Sequence, residues 1–425
     1  MDSPYQPGFG ARPAVLVGRD RQLAKASAAL TRVANTRSSA PSALVFTGAR
    51  GMGKTVTLAV VAERARERDF DTAGVALDSV SDNVQLIAAR VAESLKGFEQ
   101  SGVRTSWGRV RDRLAALSIE VNAGVVKVTS PPARGRADTR SATQREALAA
   151  LLTDGARLAA ERDRAGLAIF IDELQEAPRA DLVVIANAIQ DALMADDTPL
   201  AVFAAGLPQT PEAVMAAASF TERFDFRTLE RLEDDSAERA LVEPALALKV
   251  RWDAGAAKAV LAAAAGSPYL IQRLGDETWT LADPETGATL TQAQAREAIA
   301  EVQESLSNGM FRGRWAKATP AERDLMVAIA QVVDVEGVAR TGHITEIIGR
   351  TTPQLSPARQ ALIDKGLVET AGHGRLKFTM PGFADFVRAQ TGVPWCGPSG
   401  AARGALLQPR RRELPSSRPK LPPRL

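Results

Sequence analysis

Cysteine is nearly absent: Cys396 is the only one in 425 residues. An internal disulfide and a cysteine-rich zinc cluster are therefore excluded. Histidine is almost as scarce, with only His343 and His373, which argues against a histidine metal site. Both scarcities fit a reducing cytoplasm. No apolar run approaches the roughly eighteen residues of a membrane span, and the alanine-rich stretch from Ala254 to Ala265 is broken by Gly255 and Lys258. The opening MDSPYQPGFG has neither the basic start nor the apolar core of a signal peptide. These absences predict a soluble cytoplasmic protein without a membrane anchor.

What is present is unevenly spread. The net charge is +3, yet residues 391–425 alone carry seven Arg or Lys against Glu413. The remainder is therefore net −3. A Pro/Arg-rich tail of this kind cannot bury enough apolar surface to fold, and it is expected to be disordered. It would either grip an anionic surface, nucleic acid or membrane, or serve only as a solubilising terminus.

The length exceeds one compact core and suits two or three domains. After a Pro/Gly-rich leader expected to be flexible (1–14), VGRDRQLAKASAALTRVA reads as a turn entering an amphipathic helix. The apolar runs ALVFT (43–47), AGVALD (73–78), LAIFIDE (167–173) and LAVFAAG (200–206) alternate with helical stretches near 55–68, 83–95, 144–162 and 181–195. Strands apolar on both faces and separated by helices predict a parallel sheet covered on both sides. An insertion at about 97–142 contains SIEVNAGVVKVTS, which reads as a hairpin, and PPARGRADTRSAT, a loop by composition. Beyond about Glu230 the strands stop, and 234–246, 254–264, 268–281 and 292–306 read as helices. A third region starting at Thr319-Pro320 predicts three helices followed by two strands around a glycine turn, LVETAGHGRLKFTM. That is the order of a winged helix-turn-helix.

Gly48-Ala49-Arg50-Gly51-Met52-Gly53-Lys54-Thr55 matches G-x-x-x-x-G-K-[ST], with a strand before it and a helix after it. Such glycines let successive amides point at phosphate oxygens, and the following helix adds its positive end. Lys54 is expected on the β- and γ-phosphates of ATP, and the Thr55 hydroxyl on Mg²⁺. LAIFIDE supplies two carboxylates at a strand end: Asp172 to orient the magnesium shell and Glu173 to polarise the attacking water.

With VGRDRQL, GARGMGKT, FIDE, the strand running into AGLP, SFTERFDFRTLERL and GSPYLIQ (266–272), residues 15–390 resemble bacterial AAA+ ATPases of the origin-recognition-like and STAND group. The resemblance implies a three-layer α/β P-loop core (15–230), a helical lid (231–318) and a winged helix-turn-helix domain (319–390). ATP would lie between core and lid, with Val17, Gly18 and Arg19 near the adenine. Arg223 would be an arginine finger or γ-phosphate sensor, acting in its own or on a neighbouring subunit; otherwise it is a surface arginine beside Glu222 or Asp225. Pro268 would turn the lid helix toward the nucleotide, or simply start that helix. The strand beside the acidic pair ends Ala204-Ala205-Gly206 rather than in Asn, Thr or Ser, and Arg273 is off the spacing of a standard lid sensor. Both departures imply slow or partner-dependent hydrolysis.

In the winged region, Arg350, Gln354, Arg359, Gln360 and Lys365 are the polar positions for a recognition helix, and Arg375 and Lys377 would sit in the wing. From Arg340 to Lys377 the net charge is +3, a modest footprint for double-stranded DNA. Winged helices of this group also dock proteins, so self-association or a protein partner stands as the alternative.

Overall fold

The computed structural model describes residues 1–8, 10–95, 104–122, 125–128, 137–218 and 223–397. Most of the basic tail, the centre of the 97–142 insertion and Glu222 lie outside the described residues.

The front half runs α1 (Asp20–Thr36), β1 (Leu44–Thr47), α2 (Lys54–Arg66), β2 (Phe70–Ala76), α3 (Asn83–Ser94) and α4 (Arg104–Ala116). It continues with the hairpin strands β3 (Ile119–Asn122) and β4 (Val125–Val128), then α5 (Ala137–Glu161), β5 (Gly166–Asp172) and α6 (Arg179–Met194). β6 (Leu200–Gly206), α7 (Thr210–Ala217) and β7 (Asp225–Thr228) complete it. Strands β2, β5, β6, β1 and β7 form one sheet in that order, every pairing parallel. Each residue of β5 and β6 is buried, and side-chain alternation divides them between two cores. Leu167, Ile169 and Ile171 enter the layer containing α3, α5 and α6. Ala168 and Phe170 enter the layer containing α1 and α2. There Phe170 stacks on its register partner Phe203, ring centroids 5.3 Å apart.

Two expectations change here. PPARGRADTRSAT was expected to be a loop, but the helix before β5 already begins at Ala137; the composition of its first turns hid it. The run 225–228 carries no apolar signature, yet it adds the fifth strand. β7 lies at the sheet edge and, among the described residues, pairs with β1 alone, so it needs no two-sided apolar pattern.

The helical region expected to be a lid comprises α8 (Asp234–Ala247), β8 (Arg251–Trp252), α9 (Ala254–Ala264), α10 (Pro268–Ala282), β9 (Thr289–Leu290) and α11 (Gln292–Leu306). Strands do not stop entirely at Glu230, since β8 and β9 form a two-residue parallel bridge. The leader is not a free arm. Tyr5 is 2% exposed and wedges edge-on between Trp252 and Trp279. Its hydroxyl donates to the Leu241 carbonyl and accepts from Trp252 Nε1 at 2.8 Å. Gly275 leaves room for the ring, because a Cβ there would sit 2.8 Å from it. Burial pushes the phenol pKa up.

A π-helical turn (Ser307–Phe311) and α12 (Arg312–Ala316) lead into the C-terminal region. Its elements are α13 (Pro320–Val332), β10 (Val338–Arg340), α14 (Thr341–Ile348), α15 (Thr352–Asp364), β11 (Val368–Thr370), β12 (Arg375–Phe378) and α16 (Phe383–Thr391). Capping boxes Thr319/Glu322 and Thr351/Gln354 start α13 and α15. The expected strand pair gains a third, antiparallel member in β10. The first residues beyond Thr391 are hydrogen-bonded back to the end of α13: Trp395 Nε1 donates to the Val333 carbonyl at 2.8 Å, with the ring itself exposed. No helix among the described residues is long and apolar enough to cross a membrane.

Candidate functional site

The loop between β1 and α2 makes the tight turn its sequence requires. Gly51 and Gly53 have φ of 85° and 81°, a region that other residues enter only at a cost. Lys54 opens α2 and is 8% exposed. Its ammonium donates to the carbonyls of Gly48 (2.9 Å) and Ala49 (3.0 Å). Desolvation lowers its pKa, while the nearby Glu173 and Asp172 carboxylates raise it. Thr55 follows, and its hydroxyl donates to Asp172 Oδ2 at 2.6 Å. Burial raises the Asp172 pKa, opposed by the hydrogen bonds from Thr55 and from the Glu173 amide.

The two strand-end carboxylates thereby have different partners. Asp172, the last residue of β5, turns to the P-loop hydroxyl. Glu173 has left the strand, with φ of 52°. Its carboxylate accepts a hydrogen bond from Gln175 Nε2 at 2.6 Å. Gln175 Oε1 in turn accepts from the Leu207 amide at 2.9 Å, just past β6. Gly206 permits this approach: a Cβ there would lie 2.9 Å from Gln175 Oε1 and 2.2 Å from Thr210 Oγ1. The missing polar residue at the end of β6 is thus matched by a carboxamide arriving from the acidic loop itself. The adjacent oxygens of Thr55 and Asp172 fit a hard, oxygen-preferring cation such as Mg²⁺.

Lys54, Thr55 and Glu173 line a cavity of about 880 Å³, within the range of small-molecule sites; Asp172 and Gln175 stand behind them. Val17, Arg50, Met52, Gly53 and Pro268 of the expected set line it too. Pro268 is the first residue of α10, and the neighbouring Tyr269 amide donates to the Gly51 carbonyl at 3.2 Å. The proline starts its helix, and that helix start docks on the P-loop.

Other expected members fall elsewhere. Arg19 touches the cavity, but its guanidinium is spent on the carbonyls of Met52 (2.9 Å) and Glu230 (2.8 Å). It is a strut between the P-loop and the exit of β7, and desolvation lowers its pKa. Gly18 packs against Leu232 and Ser236. Arg223 is exposed and does not line the cavity. Its expected partner Asp225 pairs instead with Lys25 (3.4 Å) and Arg227 (2.6 Å). Arg273 pairs with Glu277 at 2.9 Å on the lid surface.

Sequence reasoning missed the far wall. Gln6 and Pro7 of the leader, Tyr269 and Arg314 contribute to it, and so do Lys365 and Thr379 of the C-terminal region. Lys365 is exposed, but its ammonium is engaged within the chain rather than free as a recognition-helix residue should be. It pairs with Glu322 at 2.7 Å, a carboxylate only 5% exposed. Gln175, two residues past Glu173, was the one missed residue with a local signal. The far wall had none.

Two sequence families match the chain: an AAA ATPase domain over residues 15–203, and a domain of unknown function (DUF8462) over residues 308–387. No curated protein sequence matches. Among solved structures, the ORC2 protein of Aeropyrum pernix, determined in ADPNP–ADP complexes, is similar with a TM-score of 0.54 at 13% identity. That match covers 91% of this chain and 98% of the other. The Walker-type ATPase PABY2304 of Pyrococcus abyssi is similar with a TM-score of 0.56 at 14% identity, covering 89% and 97%. At such identities the likeness carries the fold. The chain thus joins a region that matches an AAA ATPase domain, on a P-loop ATPase fold, to a largely helical C-terminal region.

Proposed function

We propose that this chain is an ATP-binding, slowly hydrolysing switch of the AAA+/STAND kind whose nucleotide state is read by a DNA-associated winged helix. In this reading Lys54 and the P-loop amides hold the phosphates, Thr55 and Asp172 hold Mg²⁺, and Glu173 orients the attacking water. The ion would neutralise charge on the phosphate oxygens. The observation that carries the reading is the shared cavity: residues 364–365 and 379–381 of the C-terminal region line the same space as the P-loop. A ligand there touches sensor and output at once. The hydrogen bond from Gln175 to Glu173 supports conditional hydrolysis, since the base is held by a neutral amide that must release or share it.

DNA as the partner draws on the wing. Arg340 and Arg375 are register partners across β10 and β12, both exposed. Like charges directly opposite one another destabilise a ladder, and a phosphate backbone would offset that repulsion. Lys365 leaves the DNA set for the reason given above, and Lys377 is paired with Glu369 at 3.0 Å. That internal pairing favours the alternative, a switch read by a protein partner without DNA contact.

ATP turnover by the full chain, with and without duplex DNA, separates the two. Stimulation that disappears at high salt and in the Arg340→Glu/Arg375→Glu double variant is expected. Equal turnover under all conditions would contradict the DNA reading and leave the protein partner.

A further inference from the structure

The segment that joins the lid to the C-terminal region has two unlike faces. Phe311 is 2% exposed and seats in an aromatic cluster, 5.1 Å from Phe383 and 5.6 Å from Phe386. Trp315 packs against the same core. Positions 310, 314 and 317 share the other face of a helix at about 3.6 residues per turn, and Met310, Arg314 and Lys317 all line the cavity of the P-loop. The π-helical turn immediately before α12 is of a kind that often marks functional sites. Here it accompanies a segment that anchors Phe311 on one side and turns Arg314 to the other.

Arg314 stands out among the cations of the cavity. Arg50 pairs with Glu176 at 3.3 Å and Lys365 with Glu322. No ion pair or hydrogen bond joins the Arg314 side chain to any described residue. It is only partly exposed, and its charged neighbour is another cation, Arg50. Burial, with Arg50 adding repulsion and Tyr269 opposing it, pushes the guanidinium down to about 10, so it stays charged at neutral pH. A cation withdrawn from water beside a like charge destabilises the empty site, and an anion entering the cavity offsets that cost. Its position is specific, because the neighbouring Tyr269 is the residue whose amide docks on Gly51 at the P-loop tip.

We propose that Arg314, which lines the cavity together with the P-loop, binds the terminal phosphate of a nucleoside triphosphate, so that the segment entering the C-terminal region distinguishes a triphosphate from a diphosphate. The proposal rests on the nucleotide reading of the cavity. A planar guanidinium suits it, since two parallel N–H groups match two phosphate oxygens. This places the discriminating arginine outside the lid helix where Arg273 lies.

Calorimetric titration of the full chain with a non-hydrolysable ATP analogue and with ADP, both with Mg²⁺, tests this. Arg314→Ala should weaken the triphosphate about 10- to 100-fold while leaving ADP affinity unchanged. Arg314→Lys should fall between, keeping the charge but losing the fork. The ligand-free melting temperature of Arg314→Ala should match or exceed wild type, because the lost cation had no partner, and that result shows the variant is folded. Wild-type triphosphate affinity in Arg314→Ala, or an equal loss for both nucleotides, would overturn the proposal. Wild-type protein that binds neither nucleotide would instead overturn the nucleotide reading on which it rests.

Discussion

The two walls of the cavity are built in opposite ways. The P-loop wall comes from the consecutive residues 50–56 and from Glu173, just past a strand end. Its charges are satisfied locally: Lys54 by the Gly48 and Ala49 carbonyls, Asp172 by Thr55 and the Glu173 amide. The opposite wall draws Gln6, Tyr269, Arg314 and Lys365 from distant stretches of chain, and Arg314 is left without a partner. A wall that is already satisfied binds a phosphate by exchanging one set of hydrogen bonds for another. A wall that carries unspent charge changes its energy when the ligand arrives. The first is suited to holding nucleotide, the second to reporting it.

The largest break in that comparison is Lys54→Ala. Removing the ammonium should lower ATP affinity by at least about 100-fold, since charged hydrogen bonds to phosphate are lost with nothing to replace them. Unchanged binding by calorimetry would contradict the assignment of the phosphate wall. Glu173→Gln should come next and act on turnover alone. Loss of the base costs about 10²- to 10⁴-fold in rate, while ATP stays bound because the phosphate contacts remain. A steady-state assay that finds ordinary turnover in this variant would put the base elsewhere.

Lys365→Ala has the smallest and most diagnostic effect. Breaking its pair leaves Glu322 buried without its cation, at about 1–3 kcal/mol. Desolvation raises the Glu322 pKa, but hydrogen bonds from Lys365 and the Thr319 amide outweigh it and hold the carboxyl below the ordinary glutamate range. An acid lowered by folding contributes stability above its unfolded pKa and loses it as pH falls through the folded one. The stability gap between wild type and Lys365→Ala should therefore be full at neutral pH and close as pH drops below the glutamate range. Denaturant melts across pH measure it. Duplex DNA affinity should be untouched by this substitution, in contrast to Arg340→Glu/Arg375→Glu.

The contrast between the walls also explains what could be read from the amino-acid order. GARGMGKT and LAIFIDE are contiguous, and their chemistry is fixed by neighbours in sequence, so phosphate loop, acidic pair and buried parallel strands were all legible. β7 was not, because an edge strand needs no apolar alternation. The leader was read as free because Pro and Gly dominate it. Tyr5 finds its notch only when Trp252 and Trp279 come together. Lys365 looked like a recognition-helix residue by position, but it lies at the C-terminal end of α15, where the helix turns back toward α13 and the cavity. Arg314 carries no local signal at all. Its meaning depends on Phe311 anchoring the segment and on a P-loop more than 250 residues earlier.

The central claim is that the cavity residues of the C-terminal region read the nucleotide. Amide hydrogen exchange of the Glu173→Gln variant, loaded with ATP or with ADP, measures this at residues 312–317 and 364–367. Slower exchange at both places in the ATP state is the predicted result. Identical exchange in the two states, with both nucleotides demonstrably bound, would contradict it and reduce the chain to a nucleotide-binding protein whose C-terminal region is indifferent to what the P-loop holds.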